Sequence, residues 1–391
     1  MREVVVLSAV RSAIGGFAGT LSSLEPSELG GMVLKEAIGR SGVDPNQVNY
    51  AVVGNCIPTE KRSPYVGRVV SIQGGMPMSS VALTINRLCG SALQAIVSTA
   101  QNILLDDCEF GVGGGVEVMS RGGYLSPAMR SGARMGDSQM IDTMVATLTD
   151  PFGVGHMGIT AENLATKHNI SREEQDAFAL ESQSRAARAI AEGRFKDQIA
   201  PITISSRKGD IVFDTDEHPR ATTLEALAKM KPAFKKDGSV TAGNASGIND
   251  AAAFLVLGEA KAAAAAGHKP LAVIRGYAVA GVPNDVMGEG PIPSTKIALQ
   301  KAGITLDQID VIESNEAFAA QALTVTKVLG FDPAKVNVNG GAIALGHPVG
   351  ATGAIIATKC IHELHRTGGR YGLATMCIGG GQGIAVVFER V

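Results

Sequence analysis

The side chains best suited to covalent chemistry in this sequence are thiols next to glycine-rich segments. Cys89 lies in the segment 86–91 (NRLCGS), directly before an apolar, alanine-rich stretch with the composition of a helix. A thiol at a helix N-terminus faces free N–H groups and the positive end of the helix dipole, which lowers its pKa. The sequence therefore predicts a nucleophilic thiolate at Cys89. An inert buried cysteine is the alternative interpretation.

A candidate general base, His347, lies in a second glycine-rich segment, 339–350 (NGGAIALGHPVG). Glycines let the backbone approach a ligand closely, and a histidine held in such a loop is placed to accept a proton. The alternative is a structural histidine that binds a loop carbonyl.

Two further positions carry groups of interest. Cys377 precedes the segment 378–383 (IGGGQG), where a second thiol is placed to exchange protons and free N–H groups to stabilise an oxyanion. The glycines at 111–115 are interpreted as the matching turn of an earlier unit.

Asn315 and Glu316 follow a predicted strand and open an alanine-rich stretch. Taken alone, that pair is best interpreted as a helix cap.

The elements that must position these residues occur twice. Segment 35–49 (KEAIGRSGVDPNQVN) matches 296–310 (KIALQKAGITLDQID) at an offset of 261 residues, 296 minus 35. Short β-branched runs alternate with alanine-rich stretches in both copies, which indicates a sheet covered by helices. We therefore predict two related α/β halves, 1–118 and 250–391. With pseudo-twofold packing, the helix starts next to Cys89 and His347 approach each other.

The stretch between the halves, 119–249, has no counterpart. Its first part is rich in methionine, and Ser171 with Glu174 forms a capping box before a helix predicted to continue to Gly193. An unduplicated insertion on a duplicated core is a good place for substrate binding. A packing lid is the alternative.

Composition excludes several classes of protein. Of 391 residues, 45% are hydrophobic and 18% charged, which is unlike a disordered chain. The net charge of −2 and the lack of tryptophan give no support for a nucleic-acid partner. Five cysteines without a CxxC pair indicate neither a disulfide framework nor a zinc site. No signal peptide or membrane-length apolar run is present, so we expect a cytoplasmic protein without membrane association.

Four segments together resemble the signatures of thiolases, the acetyl-CoA C-acetyltransferases and 3-ketoacyl-CoA thiolases: 86–91 (NRLCGS), 315–318 (NEAF), 346–348 (GHP) and 377–381 (CIGGG). Further blocks agree along the whole chain: 114–120 (GGVEVMS), 156–163 (HMGITAEN) and 243–250 (GNASGIND). The resemblance implies an α/β thiolase fold of two βαβαβαββ halves in a five-layered αβαβα arrangement. A loop domain, here 119–249, is inserted in the first half and returns to it near its end.

The resemblance also implies a reaction. Thiolases catalyse reversible Claisen condensation of two acyl-CoA molecules and thiolysis of 3-ketoacyl-CoA, here through an acyl-Cys89 intermediate in a ping-pong mechanism. His347 takes the Cys89 proton, and Cys377 moves the α-proton of the second substrate. Asn315 holds a water that helps His347 to stabilise the enolate. The N–H groups of Cys89 and Gly379 form the other oxyanion hole, and no metal or other cofactor is needed.

By the same resemblance, CoA enters along the insertion, with Arg220 near the nucleotide and Ser246 on the pantetheine. An apolar tunnel is implied, with these lining residues: Leu148, His156, Met157, Phe234 and Phe318. Basic residues between Arg207 and Lys236 are candidates for the phosphates, with a solvated surface as the alternative. The implied partners are acyl-CoA, CoA and further copies of the chain, as a dimer of dimers.

Departures from the family pattern are few. Ala92 replaces a more usual glycine, and the loop after Arg220 is one residue shorter than in close relatives. A condensing enzyme that uses acyl-carrier protein or a malonyl unit is the first rival, but such enzymes usually carry a second histidine or an asparagine in place of Cys377. The second rival, a lipid-binding protein without catalysis, predicts a lost nucleophile or base. Segments 62–68 and 379–383 resemble bacterial β-ketothiolases, while acyl chain length and metabolic direction stay open.

Overall fold

The structure, a computed structural model, describes residues 2–205 and 209–391. Its strands are β1 (Val4–Ser12), β2 (Val48–Gly54), β3 (Val81–Ile85), β4 (Phe110–Val118), β5 (Tyr124–Leu125), β6 (Ile141–Asp142), β7 (Ile199–Ala200), β8 (Ile202–Ile204), β9 (Ile211–Phe213), β10 (Asp250–Glu259), β11 (Ala272–Gly281), β12 (Ile309–Ser314), β13 (Tyr371–Ile378) and β14 (Gln382–Arg390).

The α-helices alternate with these strands. They are α1 (Pro26–Ser41), α2 (Val66–Gln73), α3 (Ser91–Leu104), α4 (Thr143–Thr147), α5 (Met157–His168), α6 (Arg172–Ala191), α7 (Leu224–Ala228), α8 (Ala260–Ala265), α9 (Pro291–Ala302), α10 (Ala319–Leu329), α11 (Ala342–Leu345) and α12 (Thr352–Thr367).

The large sheet contains the same pairing pattern twice. Its strand order is β12-β13-β14-β11-β1-β10-β4-β2-β3. In the first half β2 runs parallel to β3 and β4, and β10 lies antiparallel between β4 and β1. In the second half β12 runs parallel to β13, and β14 lies antiparallel between β13 and β11. The two patterns meet where Val5 of β1 pairs with Val273 of β11, which agrees with an internal duplication.

Strand β10 belongs with the first half. Its residues pair with β4 from Asp250 opposite Val118, and with β1 up to Glu259 opposite Val4. The sequence predicted that the second half begins at residue 250, but these pairings place the division after β10. The chain leaves the sheet after β4, forms the insertion and returns to the same half through β10.

Some helices lie on the outer face of one half of the sheet. Others lie between the two halves and contact both. Helices α1 and α2 pack on strands of the first half, and α9 packs on β11 and β14 of the second. Helix α3 contacts β4 and also β14, while α12 contacts β13 and also β10, and the two helices pack against each other. Because both of their faces are covered, β1, β4 and β10 are buried along their whole length. This is the predicted five-layered αβαβα arrangement.

The insertion is attached to the first half through the large sheet. Strand β7 pairs in parallel with β1. The capping box of Ser171 and Glu174 is confirmed, and α6 ends at Ala191, two residues before the predicted end. No helix within residues 2–205 and 209–391 has the length and apolar character required to traverse a lipid bilayer.

Candidate active site

Cys89 lies in the loop between β3 and α3, which we call the nucleophile loop (residues 86–91). Leu88, the residue before it, has φ +46°, a conformation that costs energy for a leucine. The Ser91 hydroxyl stabilises this turn because it accepts the N–H of Arg87 at 2.8 Å and donates to the carbonyl of Leu88 at 2.7 Å. The loop is therefore held in one conformation, with Cys89 at the wall of a cavity.

His347 lies between α11 and α12 in what we call the base loop (residues 346–351). Its Nδ1 is 2.6 Å from the hydroxyl of Thr352, and that hydroxyl donates to the carbonyl of Pro348 at 2.9 Å. Since the hydroxyl has one proton, it must accept from Nδ1–H, and Nε2 carries the lone pair. Burial lowers the pKa of His347 to about 4. The imidazole is therefore neutral near pH 7 and able to accept a proton at Nε2.

Asn315 directly follows β12 and faces the base. Its Nδ2 lies 3.5 Å from Nε2 of His347, while its Oδ1 is buried without a protein hydrogen-bond partner. The helix-cap interpretation of Asn315 and Glu316 is wrong, because α10 begins at Ala319 without a side-chain cap. Glu316 instead accepts from the Ser182 hydroxyl at 2.7 Å and from the N–H of Ile343 at 3.2 Å.

Cys377 and Gly379 lie at the end of β13 and in the turn to β14. Cys377 is fully buried, and the proximity of the Cys89 thiol adds to burial in raising its pKa. The backbone N–H groups of Gly379 and of Cys89 itself are directed at the Cys89 sulfur. The structure thus brings together all five residues predicted for catalysis: Cys89, Asn315, His347, Cys377 and Gly379.

The electrostatic environment of Cys89 differs from the sequence prediction. Burial raises the pKa of its thiol to about 11, although the two N–H groups at the sulfur act in the opposite direction. The negative charge of Glu117 also raises this pKa. The predicted lowering at the helix N-terminus is therefore wrong, because desolvation outweighs the local dipoles. At neutral pH the site holds a neutral thiol and a neutral imidazole.

A cavity of about 470 Å³ connects Cys89 to the surface of the insertion. His156 stacks on Phe234 with ring centroids 4.7 Å apart, and Phe234 meets Phe318 edge to face at 6.0 Å. Cys89, His347 and Gly379 line it together with the residues predicted for CoA: Leu148, His156, Met157, Arg220, Phe234, Ser246 and Phe318. The walls are apolar with few polar groups, as is usual for a site that takes a largely apolar ligand arm.

Arg220 lies at an exposed position of this cavity, and its guanidinium donates to the carbonyl of Ala242 at 2.9 Å. The backbone N–H of Arg220 donates to Oε1 of Gln183 at 3.0 Å. Of the basic residues predicted near the phosphates, Arg207 and Lys208 lie outside the described residues.

Sequence reasoning missed several residues of the site. Thr352 fixes the His347 tautomer, and Asn249 accepts the backbone N–H of His347 at 2.9 Å. Phe17, His218 and Met287 also line the cavity. Asn249 lies in the segment 243–250 that was recognised only as a family block. Within residues 2–205 and 209–391, no cluster of three or more His, Cys, Asp or Glu side chains has a geometry suited to a metal ion.

Two sequence-family models match the chain: the thiolase N-terminal domain over residues 4–261 and the thiolase C-terminal domain over residues 268–390. The chain is 57% identical to the beta-ketothiolase BktB of Cupriavidus necator over 392 residues, and 50% identical to the acetyl-CoA acetyltransferase of Pseudomonas aeruginosa over 393 residues. Both alignments cover 100% of this chain and 100% of the relative.

Comparison with solved structures also gives thiolases. The crystal structure of human mitochondrial 3-ketoacyl-CoA thiolase matches with a TM-score of 0.98 at 44% identity, covering 100% of this chain and 99% of that chain. The crystal structure of that human thiolase in complex with CoA gives 0.97 at 43% identity, covering 100% and 98%. The fold is therefore the thiolase fold. The chain belongs to the thiolase family, and it is an acyltransferase of that family.

Proposed function

We propose that the protein catalyses reversible Claisen condensation of two acetyl-CoA molecules to acetoacetyl-CoA and CoA, and thiolysis of 3-ketoacyl-CoA. The observation that carries this proposal is that Cys89 and His347 line one cavity while Cys377 lies close to the Cys89 thiol, with His347 neutral and its lone pair on Nε2. A nucleophile, a base and a second proton carrier are the groups that such a reaction needs.

The first half-reaction acylates Cys89. His347 accepts the thiol proton at Nε2 as the sulfur attacks the thioester carbonyl, so a thiol with a pKa of about 11 never has to ionise in advance. The N–H groups of Cys89 and Gly379 stabilise the oxyanion. CoA then leaves as a thiolate and takes the proton from His347, which leaves acyl-Cys89 and a neutral imidazole.

The second half-reaction forms the carbon–carbon bond. Cys377 gives its proton to His347 and, as a thiolate, removes the α-proton of the second acyl-CoA. The enolate oxygen is stabilised by the protonated His347 and by a water that Asn315 holds. The enolate carbon attacks acyl-Cys89, and the departing Cys89 thiolate takes the proton back from His347. No metal or further cofactor is required, because an enolate so bound makes the thioester α-proton sufficiently acidic.

The substrate assignment is supported by the relatives named above and by the human thiolase that was crystallised with CoA. In the proposed binding mode Arg220 lies near the nucleotide and Ser246 contacts the pantetheine. The aromatic stack of His156 and Phe234, with Leu148, Met157 and Phe318, lines the path to Cys89.

The proposal also covers the domain division, the location, the metabolic role and the assembly of the protein. The three-part division into two halves and a CoA-binding insertion is supported by the strand pairings, with the correction at β10. A cytoplasmic location, a role in fatty acid metabolism and a homotetrameric assembly are proposed. Nucleic acid and membranes are not expected as partners.

The test is CoA-dependent loss of acetoacetyl-CoA by the wild-type protein, compared with Cys89→Ala and Cys377→Ala. We expect both substitutions to abolish cleavage. After incubation with acetyl-CoA, mass spectrometry should find acetyl-Cys89 in Cys377→Ala but no acetyl group in Cys89→Ala. A wild-type protein that cleaves neither acetoacetyl-CoA nor longer 3-ketoacyl-CoA esters contradicts the proposal and favours a lipid-binding protein without catalysis.

A further inference from the structure

Glu117, near the end of β4, carries a fully buried carboxylate that takes no part in the steps above. Each carboxylate oxygen accepts two hydrogen bonds. Oε1 receives Nδ2 of Asn55 at 3.0 Å and the N–H of Ile57 at 3.2 Å. Oε2 receives the N–H of Cys56 at 3.0 Å and the N–H of Gly350 at 2.9 Å. One side chain therefore connects the segment after β2 with the base loop of the other half.

The segment after β2 is in turn bonded to the nucleophile loop. The Cys56 sulfur lies 3.1 Å from the carbonyl of Leu88, the residue with the left-handed backbone next to Cys89. It also lies 3.2 Å from the Ser91 hydroxyl. Glu117 thus reaches the nucleophile loop through a single intervening residue.

On the opposite side, Gly350 is held from several directions. Its N–H is bonded to Glu117, and a Cβ added to Gly350 would lie 2.4 Å from Oε2 of Glu117. Its carbonyl oxygen lies so close to the first half that a Cβ added to Gly115 would approach it to 2.1 Å, and one added to Gly54 to 2.9 Å. The base loop is therefore pressed onto the ends of β2 and β4, with the carboxylate of Glu117 between them.

The burial of this carboxylate costs free energy that a side chain needed only for packing would not cost. The donors that contact the carboxylate are all neutral, and burial raises the pKa of Glu117 to about 7. A buried carboxylate costs free energy, and an apolar side chain of similar size is often no less stable. A geometric role explains why a carboxylate is present, because it accepts hydrogen bonds from two loops at once.

We propose that Glu117 is a positioning residue that fixes the separation between the nucleophile loop and the base loop, and hence between Cys89 and His347. The inference rests on the proposed function, since that function is what makes this separation matter. Small displacements of reacting groups are costly, with a shift of 1 Å reducing a rate about 100-fold.

Two substitutions disturb the contact in different ways. Glu117→Asp keeps the charge but shortens the side chain, so it cannot reach Gly350 and the segment after β2 together. We expect kcat for acetoacetyl-CoA thiolysis to fall about 10- to 100-fold, with KM changed less than about twofold. Glu117→Gln keeps the length, but its amide has only one acceptor oxygen and its NH2 group faces two N–H donors, so kcat should fall to a similar extent. The same substitution also removes the negative charge that faces the thiols of Cys56 and Cys89, so the pH profile of Cys89 alkylation should move to lower pH.

A readout independent of turnover keeps the test separate from that of the proposed function. Hydrogen exchange of residues 346–351 should become about 10-fold faster in Glu117→Asp, because the N–H of Gly350 loses its acceptor. The matched control is Glu60→Asp. Glu60 has a fully buried carboxylate in the same half that accepts the N–H of Ser27 at 2.8 Å, away from the cavity. The Glu60→Asp variant should have a lower free energy of unfolding, with kcat and the hydrogen exchange of the base loop unchanged.

The outcomes are distinct. A wild-type protein without thiolase activity overturns the proposed function, while the exchange and alkylation arms still test the contact. Unchanged kcat and unchanged exchange in Glu117→Asp overturn the inference, and so does an equal loss of kcat in Glu60→Asp. Wild-type kcat in Glu117→Gln, which has lost one of the two acceptor oxygens, also overturns it. Should Glu117→Asp not fold, Gly350→Ala disturbs the same contact from the base loop, and failure of both to fold shows a folding role instead.

Discussion

At the scale of single residues, the Cys89 sulfur is subject to opposing effects whose balance is measurable. Burial and the charge of Glu117 raise its pKa to about 11, while the N–H groups of Gly379 and Cys89 stabilise the thiolate. Because the thiolate is the form that iodoacetamide alkylates, the rate at Cys89 should rise about tenfold per pH unit from pH 7 to pH 10. Peptide-level mass spectrometry follows Cys89 separately from the other cysteines.

The control within this experiment is Cys360, which is fully buried and should remain unmodified while the protein is folded. A rate at Cys89 that levels off below about pH 8 means that a thiolate is already present, as expected if the helix dipole outweighed burial. Such a result contradicts a neutral thiol–imidazole pair at pH 7.

A second residue-scale prediction concerns the proton on His347. Thr352→Val keeps the shape of the side chain but leaves Nδ1–H without the acceptor now 2.6 Å away. The imidazole then loses the contact that keeps the lone pair on Nε2. Loss of one such hydrogen bond is worth about 1–2 kcal/mol, so kcat should fall about 10-fold at unchanged KM.

Thr352→Ser is the matched control, because it restores the hydroxyl and should restore kcat. Wild-type kcat in Thr352→Val contradicts the assigned tautomer. A loss of kcat in both variants assigns the effect to packing around the start of α12 rather than to the hydrogen bond.

At the scale of elements, the insertion is anchored to β1 by a buried ion pair. Arg11 binds both oxygens of Asp216, at 2.7 and 2.9 Å, and its Nε donates to Gln198 at 2.8 Å. Arg220 follows four residues after Asp216, so the same anchor holds the segment proposed to lie near the nucleotide of CoA.

Asp216→Asn should therefore destabilise the protein by about 3–5 kcal/mol, because it leaves a buried guanidinium without its counter-charge. Urea unfolding measures this loss, and KM for acetoacetyl-CoA should rise while kcat per folded molecule is kept. The control is Glu181→Gln, which breaks the exposed pair of Glu181 with Arg185 and should cost no more than about 1 kcal/mol. Equal small losses in both variants contradict an anchoring role.

Elements also show what sequence patterns can and cannot predict in this chain. The duplication, the capping box of Ser171 and the meeting of Cys89 with His347 follow from local patterns repeated at a constant offset. The glycines at 111–115 were interpreted as a turn, but they lie inside β4. A Cβ on Gly113 would come within 2.6 Å of the Cα of Ile96, so small residues are required by the helix packed on this strand.

The remaining differences have the same origin. The cap predicted at Asn315, the thiolate predicted at Cys89 and the boundary predicted before β10 each rest on neighbours in the chain. What decides them is contact with distant segments: His347 faces Asn315, burial and the charge of Glu117 raise the pKa of Cys89, and β4 pairs with β10 across the whole insertion. The motifs shared with thiolases indicated which residues lie near one another, whereas their protonation states depend on tertiary packing.

At the scale of the whole molecule, two surfaces fit the proposed dimer of dimers. Strand β3 is an edge of the large sheet, and its Val81 and Leu83 are 52% and 46% exposed. An edge strand of this kind can pair with its counterpart in a second copy about a twofold axis. The short β5–β6 hairpin forms the second surface, with exposed apolar residues on and between its strands: Tyr124, Leu125, Met129, Met135, Met140 and Ile141.

Light scattering during gel filtration should therefore give the mass of four chains for the wild-type protein. Leu83→Lys places a charge on the edge strand and should produce single chains or weak associations, whereas Leu125→Glu in the hairpin should leave stable dimers. Leu105→Lys, at an exposed leucine on neither surface, is the control and should remain tetrameric. A wild-type protein that is monomeric contradicts the assignment of both surfaces as contacts between chains. A tetramer that persists in Leu125→Glu removes the hairpin from the assembly, because a buried glutamate without a partner should not be tolerated at a close-packed contact.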